Sequence, residues 1–235
     1  QLVKARSHAD GGAGYINRLM TLAIVIFGGI AALATIAAPL LVSIYTSGWS
    51  PSHLALATAF AYWCLPQLFF YGLYSMLGEV LNARSAFGPY MWAPVLNNVV
   101  SLAGMIAYIL IFGLDPTGKT TVAQWGYGQV TLLALSATLG VASQAIILFF
   151  AWRRIGLHFK PNFQWRGFGL APALKAGSWT LAMVLVTQIA GIFQSSVASS
   201  AVEGRTGTSV ASVAASGIAW LIFMLPHSVG TVSLA

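Results

Sequence analysis

Only 11 basic and four acidic residues interrupt the hydrophobic pattern of this 235-residue chain, and they leave six long uncharged stretches. Each stretch exceeds the roughly 20 residues that a helix needs to cross a bilayer. None shows the sustained two-residue alternation of a membrane barrel, and lipid offers no water to pair an open backbone. The pattern therefore predicts an all-α, polytopic transmembrane helix bundle. The predicted spans are residues 19–46, 54–78, 89–114, 127–152, 177–202 and 207–231.

Composition supports lipid as the solvent and gives no sign of catalysis. The chain is 58% hydrophobic and 6% charged, whereas soluble domains carry about 25% charged residues. Cys64 is the single cysteine, so no internal disulfide can form. The four histidines pair with no acid or cysteine at a catalytic or metal-binding spacing, and GGAG at 11–14 lacks the Lys-Ser/Thr of a phosphate loop. The sequence predicts no enzyme, no cofactor and no metal site.

The basic residues predict an orientation. Nine of the 11 lie before span 1, between spans 2 and 3, or between spans 4 and 5, and the alternate loops hold only Lys119 and Arg205. The positive-inside rule therefore places residues 1–18, 79–88 and 153–175 in the cytoplasm. The net charge of +7 then suits attraction to anionic lipid headgroups and requires no nucleic acid.

Residues 153–175 interleave basic and aromatic side chains, such as Arg166 beside Trp165. RNA-binding segments share this pattern, but beside a membrane span it favours an interfacial amphipathic segment. We predict membrane lipids as its partners and the segment itself as a basic cytoplasmic linker. It would join residues 1–152, part of an N-terminal helix bundle, to residues 176–235, the start of a C-terminal bundle.

Amide side chains lie at or near membrane depth and must each find a partner or water. They are Gln67, Asn97, Asn98, Gln144, Gln188 and Gln194. Two interpretations are open: interfacial anchoring with hydrogen bonds between helices, or the lining of a polar, water-filled cavity. Under the second, the candidate substrate-cavity or gating residues are Gln67, Glu79, Arg84, Asn97, Asn98, Gln188 and Gln194.

Four prolines lie inside or near the ends of spans, at Pro39, Pro66, Pro94 and Pro226. Proline removes one helical hydrogen bond and clashes with the preceding turn. Four in six spans predict bent helices around a cavity. In MWAPVLNNVV, residues 91–100, we expect the carbonyl freed by Pro94 to be paired by a nearby amide or water.

A family resemblance is clearest at residues 65–100, LPQLFFYGLYSMLGEVLNARSAFGPYMWAPVLNNVV. This stretch closely resembles the MurJ (MviN) family of lipid II flippases, especially its actinobacterial members. The family's seventh and eighth helices are similar to QIAGIFQSSVASSAVEG and IAWLIFMLPHSVGTVSL, at 188–204 and 218–234. The six spans would match helices 3 to 8, so we expect an internal fragment of a longer protein.

The resemblance implies a fourteen-helix transporter of the MOP superfamily, built from two inverted-related bundles. Its implied function is to move lipid II, a disaccharide-pentapeptide on undecaprenyl pyrophosphate, from the inner to the outer leaflet of the bacterial cytoplasmic membrane. A central cationic cavity that opens alternately to each side would carry the anionic headgroup. The implied partners are lipid II and proteins of cell-wall synthesis or division.

The sequence departs from the family pattern at two places. Many relatives carry an acid–arginine pair early in helix 8, where this chain has Trp220 and Leu221. A cation-binding acid in helix 7 of some relatives falls near Gln194. Two alternatives stay open because a fold does not fix a substrate: another exporter of the superfamily, for polysaccharide lipids or drugs, or a membrane scaffold for cell-wall synthesis that transports nothing.

Overall fold

Helices make up all the regular structure in the residues that the computed structural model describes, 12–46, 48–115, 120–164, 170–200 and 213–227. A 3₁₀ turn at Val122–Gln124 precedes the sixth helix. The α-helices are α1 Ala13–Ile36, α2 Ala38–Tyr45, α3 Pro51–Cys64, α4 Gln67–Ala83, α5 Phe87–Phe112, α6 Tyr127–Arg154, α7 Leu170–Ser200 and α8 Val213–His227.

Five helical stretches within these ranges are long and apolar enough to cross a membrane, and Ala214–Pro226 is a shorter apolar helix. The predicted all-α, polytopic membrane fold is confirmed. Helix α7 begins at Leu170, within the predicted linker. Pro172 lies in the first turn of α7. Backbone N–H groups in the first turn have no helical acceptor, so a proline there costs no hydrogen bond. Of the predicted sixth span, residues 207–212 and 228–231 lie outside the described ranges, as do residues 1–11 of the first cytoplasmic segment.

The prolines divide the first two predicted spans. Helix α1 ends at Ile36 and α2 begins at Ala38, one residue before Pro39. Helix α3 ends at Cys64 and α4 begins directly after Pro66. Pro94 and Pro226 lie inside α5 and α8, which continue past them.

The chain forms two compact units, one from residues 1–38 and 55–168 and the other from residues 39–54 and 169–235. In the first unit, α1, α4, α5 and α6 meet at the end that the charge pattern places in the cytoplasm. The core at this end is apolar and includes the fully buried Leu81, Leu148 and Trp152. Because lipid is as apolar as these side chains, dense packing stabilises the core more than any exclusion of water.

Helices α5 and α6 approach closely along an antiparallel seam of small residues. A Cβ on Gly104 would overlap the side chain of Ser136, and one on Gly140 would overlap the side-chain oxygen of Asn97. Neither glycine leaves room for a larger residue. Small residues at such crossings let backbones approach and maximise van der Waals contact.

The chain after α6 returns across the start of α1. The Lys160 backbone N–H donates to Asn17 Oδ1 over 3.1 Å, and the Asn162 N–H donates to Thr21 Oγ1 over 2.9 Å. Leu157 is buried between these elements and Phe159 packs beside Trp152. The first part of the predicted linker, residues 155–164, is therefore fixed to the bundle.

In the second unit, the segment 39–54 packs against α7. Ser196 Oγ donates to the Ile44 carbonyl over 3.2 Å, and the Trp49 indole N–H donates to the Ser199 carbonyl over 3.2 Å. These bonds join α2 and the turn after it to α7.

Candidate functional site

The seven residues predicted from the sequence are divided between the two compact units. Five belong to the first unit, and Gln188 and Gln194 belong to the second. Within the first unit, Gln67 and Asn97 contact α6, whereas Asn98 and Glu79 are exposed. The structure thus separates amides that join helices from amides that face outward.

Gln67 belongs to a bridge between the α3–α4 break and α6. Its side-chain amide donates to Thr138 Oγ1 over 2.9 Å. The Thr138 hydroxyl lies 2.7 Å from the Trp63 carbonyl and 2.9 Å from the Ala134 carbonyl, and its proton is shared between them. Pro66 interrupts the helix just after Trp63, so a neighbouring hydroxyl pairs a carbonyl left at the break.

We expect Thr138→Val to destabilise the protein by about 1 kcal/mol, because it leaves the Gln67 amide and the Trp63 carbonyl without this partner. Thr131→Val is the matched control, since the buried Thr131 hydroxyl has no hydrogen-bond partner among the described residues. Thermal unfolding of the full-length protein in detergent would compare the two. Equal melting temperatures would show that the bridge contributes nothing.

The break in the α5 hydrogen bonding is closed from α4. Pro94 has no N–H to donate to the Tyr90 carbonyl, four residues earlier. The Tyr74 hydroxyl donates to that carbonyl over 3.2 Å, and the two tyrosine rings stack with centroids 4.9 Å apart. The donor within the protein is thus a tyrosine hydroxyl. It is not the amide of Asn97, which lies seven residues from Tyr90, about 10 Å along the helix.

Asn97 and Asn98 have different surroundings although they are adjacent. Asn97 is half-buried against Gly140 of α6, and its Oδ1 accepts a hydrogen bond from Ser101 over 3.4 Å. Asn98 lies about 100° further around α5 and is exposed, as is the neighbouring Val99. Asn97 therefore serves the α5–α6 seam, and Asn98 is free to meet water or a solute.

Glu79 and Arg84 lie at the predicted cytoplasmic end of α4. Glu79 is exposed, and Arg84 is half-buried and caps the helix with its backbone N–H, which reaches the Leu81 carbonyl over 3.0 Å. The chain then turns through Ser85, whose φ is +62°. Neither residue is fully buried, and both lie at this end of the helix.

In the second unit, Gln188 is exposed on α7, and Gln194 lines a depression between α7 and α8 of about 320 Å³. Trp220 lines the same depression with the small polar residues Ser195 and Ser216. The structure therefore brings together Gln194 and Trp220, the positions at which we expect the sequence to depart from the family pattern.

Sequence reasoning missed the two hydroxyls that pair broken helices, those of Tyr74 and Thr138. Prolines mark where the acceptors lie, because Tyr90 is four residues before Pro94 and Trp63 is three residues before Pro66. The donors carry no such mark, since any Ser, Thr or Tyr on a neighbouring helix is eligible. Gln144, one of the amides at membrane depth, is only 3% exposed and is part of the bundle interior.

Comparison with known families agrees with these observations. The family described as Lipid II flippase MurJ matches residues 1–235. The chain belongs to this family. No solved structure matches it. MurJ proteins are transporters, so the apolar helices are those of a multi-pass membrane protein linked to peptidoglycan precursor transport.

Proposed function

We propose that this protein moves lipid II from the inner to the outer leaflet of the bacterial cytoplasmic membrane by alternating access, in a MOP-superfamily fold. The observation that carries the proposal is the match to the MurJ family along the whole of residues 1–235. The basic loops support an orientation in which residues 1–18, 79–88 and 153–175 face the cytoplasm, the side on which lipid II would be collected.

The physical task is to carry a large anionic headgroup across hydrocarbon while its chain stays in lipid. Helices that open to each side in turn need points at which they can bend. Breaks at Pro39 and Pro66 and the interruption at Pro94 supply such points. At two of these points, near Pro66 and Pro94, the hydroxyls of Thr138 and Tyr74 hydrogen-bond to backbone carbonyls. These two helix interruptions can therefore lie in the membrane interior.

The exposed amides are the best candidates for the route of the headgroup. Asn98, Gln188 and Gln194 point away from the packed cores of their units, and an amide facing lipid alone would be costly. We assign these three, each within its own unit, to contact with water and the headgroup, and Glu79 and Arg84 to gating at the cytoplasmic side. Gln67 and Asn97 act through the geometry of the helices they join.

The charges that bind the pyrophosphate are not supplied at Gln194 or Trp220, which are both neutral. Amides and hydroxyls around their depression can donate to phosphate or sugar oxygens without a net charge. This arrangement suits a path that must release its solute, because a neutral donor binds an anion less tightly than a guanidinium does.

The test is to deplete the full-length protein in its native host and to quantify lipid II on each leaflet. We expect lipid II to accumulate on the inner leaflet and to fall on the outer one. An unchanged distribution with failing wall synthesis would contradict transport and favour a scaffold. Accumulation of a different lipid-linked glycan with normal lipid II would favour another exporter of the superfamily.

A further inference from the structure

An apolar cavity of about 330 Å³ opens between α1, α4 and α6 in the first unit. This volume reaches the lower end of ligand pockets, roughly 300–1,000 Å³. Its walls are aliphatic and aromatic, and Arg153 is the only charged residue among the described residues that line it. None of these residues belongs to the proposed route of the headgroup. A ligand in this cavity would therefore be bound separately from the headgroup of lipid II.

The cavity has the depth of one leaflet. Its lining residues on α6 run from Ala145 to Arg153, the second-last residue of the helix. Eight residues span about 12 Å along a helix, and half of the hydrocarbon core is about 15 Å thick. Met20, near the start of α1, lines the same end. In the orientation that the basic loops predict, the cavity therefore lies in the cytoplasmic leaflet with Arg153 at headgroup level.

Arg153 is held at the rim by an aromatic wall. Its guanidinium carbon lies 5.2 Å from the centroid of the Phe149 ring, a cation–π distance that keeps the charge above the cavity. The neighbouring Arg154 and Lys160 are also exposed. Among the described residues, Glu79 is the only acid at this end of the bundle. The rim therefore favours an anion.

The remaining wall comes from the segment that returns across α1. Phe159 lines the cavity, and the next residue is fixed by the bond from the Lys160 N–H to Asn17. Phe159 also packs against Trp152, which is 1% exposed. This wall is therefore set by packing and by backbone hydrogen bonds, and the cavity is a built feature of the fold.

We propose that this cavity binds one anionic phospholipid of the cytoplasmic leaflet. An acyl chain occupies the space beside Leu73, Ile146 and Phe149, and the phosphate lies at Arg153. A zwitterionic lipid would fill the same space without the net attraction to the basic rim. The apolar walls match an acyl chain, and Arg153 at the mouth matches a negatively charged headgroup.

The chain position is tested with the full-length protein in bilayers of equal parts phosphatidylcholine and phosphatidylglycerol. A trace of phosphatidylglycerol carries a photoactivatable diazirine on one acyl chain. We expect cross-links to peptides from the lining parts of α4 and α6. Ile146→Trp, at a lining position that is 51% exposed, should reduce them several-fold. Ile147→Trp is the control, since Ile147 is 43% exposed and does not line the cavity.

The headgroup is tested with a second variant, which does not depend on the folding of Ile146→Trp. Arg153→Gln should lower the preference for the phosphatidylglycerol probe over a matched phosphatidylcholine probe by about fivefold, the factor expected for one basic residue at a membrane surface. Arg154→Gln should leave that preference closer to its original value.

Four results would overturn the proposal. No cross-link at the lining residues would mean that protein fills the cavity. Equal losses for Ile146→Trp and Ile147→Trp, or no preference for the anionic probe, would mean that ordinary boundary lipid is being detected. Stronger competition by a polyprenyl phosphate than by phosphatidylglycerol would assign the cavity to a polyprenyl chain.

Discussion

Gly140→Leu should destabilise the protein by about 1–3 kcal/mol, and by more if α5 and α6 separate, because it overpacks their seam. A Cβ at this position would overlap Asn97 Oδ1 and would lie 3.0 Å from the Asn97 backbone oxygen. The backbone atom cannot rotate away, so the helices themselves must move. Leucine is a good helix former. The loss of stability would therefore come from steric overlap between α5 and α6 and not from helix propensity. Thermal unfolding of the full-length protein in detergent, with the yield of folded protein, measures the effect.

Gly29→Leu is the matched control for that substitution. Gly29 is exposed on α1, and a Cβ there would meet nothing within 4 Å. This control makes the same glycine-to-leucine change in a membrane helix, at a position where the Cβ contacts no other residue. We expect it to be neutral or slightly stabilising, since glycine costs about 1 kcal/mol in a helix interior. If both variants melt alike, the α5–α6 seam is not closely packed.

Asn98→Leu should lower the rate of lipid II translocation by at least about tenfold with little change in stability. A hydrogen bond to a charged group contributes about 1.5–3 kcal/mol, and about 1.4 kcal/mol in a barrier is tenfold in rate. Because the Asn98 side chain is exposed, its loss should not disturb packing. Lipid II on the outer leaflet, measured in cells that carry only the variant, would report the rate, and melting of the purified variant would report stability.

Two further variants make that result specific. Val99→Leu changes a neighbouring exposed side chain without altering polarity, and it should transport normally. Asn97→Leu should instead lower stability, because Asn97 lies against Gly140 in the seam. If Asn97→Leu and Asn98→Leu both retain full activity, the assignment of this motif to a cavity or gate is wrong.

The membrane fold was predictable because hydropathy and backbone chemistry act locally. Lipid cannot pair a free N–H or C=O, so long uncharged stretches must be helices whatever their neighbours are. Prolines mark breaks in the same local way, and the α1–α2 and α3–α4 divisions lie at Pro39 and Pro66. The family resemblance of residues 65–100 likewise needed no coordinates, and the family match agrees with it.

The partners of the polar groups were not predictable from the sequence. Tyr74 and Tyr90 are 16 residues apart, and Thr138 and Trp63 are 75 apart. Asn97 and Asn98 look alike in the sequence, yet one lies in a helix seam and the other faces outward. Their difference depends on how far α5 is rotated about its own axis.

By itself the sequence determined that this is an all-α membrane protein of the MurJ family, and its prolines marked the helix divisions at Pro39 and Pro66. It also predicts which side of the membrane the basic loops face. The tertiary structure alone decided which hydroxyl pairs each open carbonyl, which amides face outward, and where Arg153 meets an apolar cavity. The physical reason is that side chains facing lipid and side chains facing protein are equally apolar in a membrane. Hydropathy therefore fixes the spans, and only close packing at small residues such as Gly104 and Gly140 fixes the rotation of each helix.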